Sequence, residues 1–258
     1  MSQRALNRTV NCSLACWPSM SVKLALERAM AGATEPAIGR LATQHVQLCP
    51  QNRGALTRDR VLELQTIAPT TQFRLHANVE VVEGMRVPWD LGDVHKPERF
   101  PYFERLAEVS RDFKAPAYTL HAGLRQRGYD LEQMGDNLKR LTDTFECRVG
   151  VEGLYPHPRK AQLISTQREY RWLLDSGLDY ALDLSHIHIV ATTEGGFDTA
   201  LLKELLASNR CLEIHVSDND GSSDQHRPLT ESTWWFGIVE EYAHDNAVLF
   251  SEGNHRIT

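Results

Sequence analysis

Residues 211–226 read CLEIHVSDNDGSSDQH. An apolar run ends on His215, and a polar loop then delivers Asp224 and His226. A short apolar segment bounded by charge suits a buried parallel strand. An imidazole at the C-terminal end of such a strand is badly placed for packing and well placed for chemistry.

The rest of the chain repeats this arrangement. Short apolar segments are VNCSLAC (10–16), HVQLC (45–49), FRLHANV (73–79), AYTLHAG (117–123), CRVGVEG (147–153), YALDLSH (180–186), CLEIHVS (211–217) and AVLFSEG (247–253). Helical patterns lie between them. In 129–146, Leu131, Met134, Leu138, Leu141 and Phe145 recur at steps of three and four, so one face is apolar. Segments 21–32, 198–207 and 231–245 read as helices on the same grounds. Eight strands alternating with helices predict a closed (β/α)8 TIM barrel, an α/β fold, with residues 1–258 as a single domain. A doubly wound open sheet would show a glycine-rich phosphate loop after its first strand. None follows VNCSLAC. Only about six residues follow the eighth strand, so the closing C-terminal helix of such a barrel is missing from the pattern. A bare apolar flank there would favour a homodimer.

Composition narrows the function. The 258 residues are 41% hydrophobic and 24% charged, which is enough apolar material for a core. No apolar run approaches the ~18 residues of a membrane span. The apolar part of MSQRALNRTVNCSLACW is short and broken, so no signal peptide is expected. Five cysteines at 12, 16, 49, 147 and 211 form neither a disulfide framework nor a paired CxxC site. Reduced, buried thiols in a cytoplasmic protein are the expectation. A net charge of −6 disfavours a dedicated nucleic-acid binder, because no basic stripe supplies phosphate contacts.

Barrel strands present functional groups at their C-terminal ends, where all eight converge. Strands three to eight end on His76, His121, Glu152, Asp183 with His186, His215, and Glu252; Asp224 and His226 follow strand seven. A lone histidine is more often packing than ligand. Acid or imidazole at six successive strand ends is not explained by packing. Nine mixed nitrogen and oxygen donors suit one to three divalent ions of the Zn, Mn, Fe or Co kind. Glu152 could bridge two of them. His45, His95, His157, His188, His244 and His255 read as core or surface histidines. In HIH, His188 points opposite to Ile187 and so to the same side as His186, where it could support the ligands from behind.

The ordered set LHA (75–77), LHAG (120–123), VEG (151–153), DLSH (183–186), EIHVSDNDG (213–221), DQH (224–226) and SEG (251–253) resembles the xylose isomerase-like TIM barrel superfamily, also called AP endonuclease family 2. The resemblance runs from about residue 10 to 253 and implies a metal-dependent enzyme. Three branches divide the function. The sugar isomerases and epimerases hold one ion through four groups, matching Glu152, Asp183, His215 and Glu252. Their two glutamates, Glu152 and Glu252 here, move a proton beside a carbonyl of a small-molecule substrate. After HRPL, however, this chain has TESTWW instead of a Gly-x-Gly turn, and the arginine some ketose epimerases carry after the strand-seven histidine is not found.

Resemblance to endonuclease IV implies three zinc ions. His76, His121 and Glu152 would hold one. Glu152, Asp183, His215 and Glu252 would hold the second, and His186, Asp224 and His226 the third. GGFD (195–198) also fits that branch, while the acidic balance argues against DNA. The third branch, the multinuclear iron oxidative enzymes, needs a peptide substrate and a partner protein to present it. Its usual Asn-rich strand-six motif is replaced here by DLSH. Isomerisation or epimerisation is the leading expectation.

Outside this set, VPWD (87–90) and PERFPYF (97–103) are expected in a long loop after strand three, as a lid or a plain surface loop. Arg159 or Lys160 could face an anion, and the Trp234–Trp235 pair reads as helix packing.

Overall fold

A computed structural model describes residues 6–126, 128–231 and 233–256. Its eight barrel strands are β1 (Val10–Ser13), β2 (Ala42–Leu48), β3 (Gln72–His76), β4 (Ala117–His121), β5 (Arg148–Glu152), β6 (Tyr180–Asp183), β7 (Cys211–Val216) and β8 (Val248–Ser251). All neighbouring pairs are parallel, and β8 pairs with β1 to close the barrel. A bulge between Asn11 and Cys12 shifts the register of β1 against β2. Asn11 compensates, since its Oδ1 accepts the His45 N–H at 3.0 Å.

The helices are α1 (Val22–Gly32), α2 (Arg58–Ile67), α3 (Phe100–Phe113), α4 (Leu131–Phe145), α5 (Gln167–Asp175), α6 (Leu184–Glu194), α7 (Thr199–Ala207) and α8 (Phe236–Tyr242). Each strand-to-strand connection carries one helix, except that α6 and α7 both join β6 to β7. Local chemistry starts them. Asp130 Oδ1 accepts the N–H groups of Glu132 and Gln133 at the head of α4, and Thr57, Thr166 and Asp198 cap α2, α5 and α7 in the same way. The expected apolar stripe of α4 is buried at Met134, Leu138, Leu141 and Phe145.

Several expectations are corrected. The α8 region is shorter than 231–245, and Trp235 is buried while Trp234 is exposed. PERFPYF is not all loop, because Phe100 starts α3 with Pro101 in its first turn. YALDLSH is not all strand: Asp183 ends β6 and caps α6. His186 and His188 are therefore two steps apart on a helix, about 200° around the axis, and do not share a side. No helix follows β8 among the described residues, as the sequence pattern implies. The strands at that seam are nevertheless covered. Leu249 and Val10 are buried, Leu6 packs on the core, and the Arg8 guanidinium donates to the Glu240 carbonyl on α8 at 3.4 Å. Among the described residues, the seam does not present the bare apolar flank expected there. No described helix is long and apolar enough to cross a membrane.

Candidate metal centre

The register of the parallel strands levels their C-terminal ends. His121 pairs with Glu152 across β4 and β5, and Asp183 with His215 across β6 and β7. Side chains that alternate along a strand therefore leave it at the same height around the mouth.

All nine side chains meet. Glu152 is the centre. Its Oε2 lies 3.1 Å from His76 Nε2, 3.7 Å from His121 Nε2 and 3.7 Å from His215 Nδ1, and its Oε1 lies 3.5 Å from His186 Nδ1. Glu252 approaches the same His215 nitrogen, with Oε1 3.7 Å from His215 Nδ1 and Oε2 3.7 Å from His226 Nδ1. Asp224 Oδ2 lies 2.9 Å from His226 Nε2 and 3.5 Å from His186 Nε2, which is itself 3.6 Å from Asp183 Oδ2. Three triplets place one donor atom from each member within 4.8 Å of the others: His76, His121 and Glu152; Glu152, Asp183 and His215; and His76, His215 and Glu252. Asp224 and His226 arrive on a folded loop, not an extended one. Asp218 and Arg227 exchange two backbone hydrogen bonds of 2.8 and 2.9 Å, and His226 has a φ of 46°.

A network beneath the mouth, beyond the nine residues expected from the sequence, fixes the imidazoles. Glu213, fully buried, sits two residues before His215 on the same side of β7. Its Oε2 is 3.1 Å from His215 Nε2 and accepts from Thr119 Oγ1 and Gln47 Nε2, each at 3.0 Å. Arg74 Nη1 donates to its Oε1 at 3.2 Å. With Nε2–H directed at Glu213, His215 offers its Nδ1 lone pair to the mouth. Because Thr119 donates to Glu213, it accepts from His76 Nδ1 at 3.0 Å, which leaves His76 Nε2 free toward Glu152. His186 Nδ1 donates to the Gly153 carbonyl at 2.9 Å, so its Nε2 faces Asp183 and Asp224. Outer partners of this kind orient metal-binding histidines.

The donor set fits a cation. Glu152 Oε2, His215 Nδ1, His226 Nδ1 and Glu252 Oε1 are buried and have no hydrogen-bond partner, yet they face one another. Buried polar atoms left unpaired are costly, and a divalent ion among them would satisfy them together.

The electrostatics agree. Burial pushes His76 down to about 3, so it stands as a neutral imidazole. Burial alone would raise Glu152, but His76 and His215 outweigh it and hold the carboxyl well below its usual range. Burial likewise opposes the charged forms of His215 and His226, and is overcome by Glu252 and Glu152 at His215 and by Asp224 at His226, which rises to about 9. Burial raises Glu252 to about 7. An entering cation must displace protons held with these raised values, so its affinity increases with pH and is lost on acidification. Titration with Zn²⁺ or Mn²⁺ at fixed pH values will show affinity climbing from about pH 6 to about pH 9, with protons released on binding. A flat profile would contradict this assignment of protons.

Other candidates lie elsewhere. His188 is half-buried, 6.4 Å from the ring of Trp234, and does not join the cluster. Arg159 and Lys160 are exposed. Tyr155, whose ring is 4.8 Å from that of His186, borders the site.

This closed barrel of eight parallel strands, with acid and imidazole side chains gathered at its C-terminal mouth, is a TIM barrel. Solved structures with the fold include a D-tagatose 3-epimerase-like protein (TM-score 0.68, 13% identity, covering 96% of this chain and 91% of that one). They also include an IOLI protein with a bound zinc atom (0.64, 13%, 97% and 92%) and endonuclease IV from Thermus thermophilus (0.56, 15%, 95% and 92%). No protein-family model and no curated protein matches the sequence.

Proposed function

We propose that the protein is a divalent-metal-dependent isomerase or epimerase of a small sugar or sugar-like substrate. The observation that carries this reading is the convergence of Glu152 and Glu252 on His215 Nδ1, at 3.7 Å each, with Asp183 joining Glu152 and His215 in one donor triplet. Glu152, Asp183, His215 and Glu252 would hold the ion. When bound, that ion would polarise a substrate carbonyl and the neighbouring hydroxyl and stabilise the enediolate charge. One glutamate removes the proton from the carbon beside the carbonyl, and the other carboxyl returns one. Glu213 holds His215 in place during this exchange, and the buried setting keeps competing water from the carboxyls. A D-allulose 3-epimerase, a 3-keto-D-glucoside 4-epimerase and a D-tagatose 3-epimerase-like protein among the solved structures with this fold support the reading.

A phosphodiesterase with several ions is the second reading. Its support is that His121, His186, Asp224 and His226, which a one-ion epimerase does not need, join the same cluster. Protein loaded with Mn²⁺ or Co²⁺ and incubated in D₂O with free and phosphorylated ketoses is expected to put deuterium on carbon beside the carbonyl and to yield the epimer or isomer. No exchange with any sugar, together with cleavage of an abasic-site oligonucleotide by the zinc-loaded protein, would overturn the first reading in favour of the second. Iron with oxygen-dependent modification of a peptide would point to the oxidative branch.

A further inference from the structure

A second group of donors lies at the β1–β8 seam, outside the mouth cluster. Cys16 follows β1, Glu35 lies in a two-stranded ribbon after α1 (Thr34–Glu35 with Gly39–Arg40), and His255 follows β8. Their Sγ, carboxylate oxygen and ring nitrogen all lie within 4.8 Å of one another. Glu35 Oε1 and His255 Nε2 are 3.3 Å apart. Two ligands held about 2.0–2.1 Å from a tetrahedral zinc stand roughly 3.3–3.4 Å apart, so this spacing, which also suits a hydrogen bond, would accept a shared ion.

The surroundings hold each donor still. The His255 N–H donates to the Cys16 carbonyl at 2.9 Å, which fixes the distance between those two residues. The Leu229 N–H donates to Glu35 Oε2 at 2.8 Å, and the Ser251 hydroxyl donates to Oε1. Trp17 packs edge-on against the His255 ring at 5.4 Å. Cys16 and Glu35 are buried, and the His255 side chain is 14% exposed. Two other readings are weaker. A nucleophilic thiol would need to be exposed and easily ionised, whereas Cys16 is buried and its thiol is pushed up, chiefly by burial. A simple hydrogen-bonded clasp would account for Glu35 with Ser251 and His255 and for the Cys16 thiol, which donates to the Ser251 carbonyl at 3.3 Å, but not for three donors of different kinds each within 4.8 Å of the others.

We propose that Cys16, Glu35 and His255 form a second cation site, taking a zinc-like divalent ion through one thiolate, one carboxylate and one imidazole. Cation binding displaces the thiol proton and leaves one coordination position open. Its ligands come from both sides of the β1–β8 seam, so the ion would staple the barrel closed. Sulfur makes the site separable from the mouth, whose nine donors are nitrogen and oxygen alone.

The test is titration of the full chain with Co²⁺. A near-ultraviolet thiolate-to-cobalt charge-transfer band is expected in the wild type. Cys16→Ser should lose the band and bind one equivalent fewer, while the visible bands of the mouth site persist. His255→Gln, at a partly exposed position, should weaken the cobalt affinity read from the same band. Three results would overturn the proposal: no charge-transfer band at saturating cobalt in the wild type, a band that survives Cys16→Ser, or an affinity untouched by His255→Gln. All are independent of which reaction the mouth catalyses.

Discussion

Glu213→Leu will destabilise the protein by about 3–5 kcal/mol, because it strands the Arg74 guanidinium in the barrel interior without its charge partner. Arg74 is almost as buried as Glu213, and the pair is linked at 3.2 Å. At roughly 2–4 °C per kcal/mol for a chain of this size, the melting temperature should fall by about 6–20 °C. The double variant Arg74→Leu/Glu213→Leu will recover most of that loss, since neither charge is then left unpaired. Metal binding will behave differently. Both variants remove the acceptor that fixes the Nε2–H form of His215 directly and the His76 tautomer through Thr119. Both should therefore lose about 10- to 100-fold in metal affinity. Calorimetry with metal titration checks the pair. Equal stabilities for the single and double variants would refute the charge-pair argument, and wild-type affinity in the double variant would refute the tautomer argument.

Glu252→Gln will cut turnover by about 10²- to 10⁴-fold, the contribution typical of a positioned acid or base. Glutamine keeps a carbonyl oxygen where Glu252 Oε1 faces His215 Nδ1 at 3.7 Å, so a cation can still be held there. It cannot carry the proton. The signature is a collapse of deuterium exchange at the substrate carbon with bound metal largely retained. Near wild-type exchange in Glu252→Gln would remove Glu252 from the chemistry.

The barrel was legible because its strands are buried on both faces and so stand out as short apolar runs at regular spacing. The mouth residues were legible because a parallel barrel brings every C-terminal strand end to one rim. DLSHIHIV was harder: Ile187, Ile189 and Val190 satisfy a strand pattern as well as a helical one, and the capping role of Asp183 decides between them. Reading Asp183 as an N-cap, with its Oδ1 2.6 Å from the Ser185 N–H, would have placed His186 on a helix from the start. Glu213 and Arg74 carried a usable signal, since each lies two residues before a mouth histidine and so on the same strand face. That Arg74 on β3 meets Glu213 on β7 across the barrel depends on strand stagger, which local sequence does not encode. The same applies to Cys16, Glu35 and His255, which come from three distant parts of the chain.

Anomalous diffraction at the absorption edge of the loaded metal tests the central claim most directly. The account predicts a peak in the barrel mouth within about 2.0–2.3 Å of His215 Nδ1 and of carboxylate oxygens from Glu152 and Glu252. A metal-saturated crystal with no peak among these side chains would contradict it.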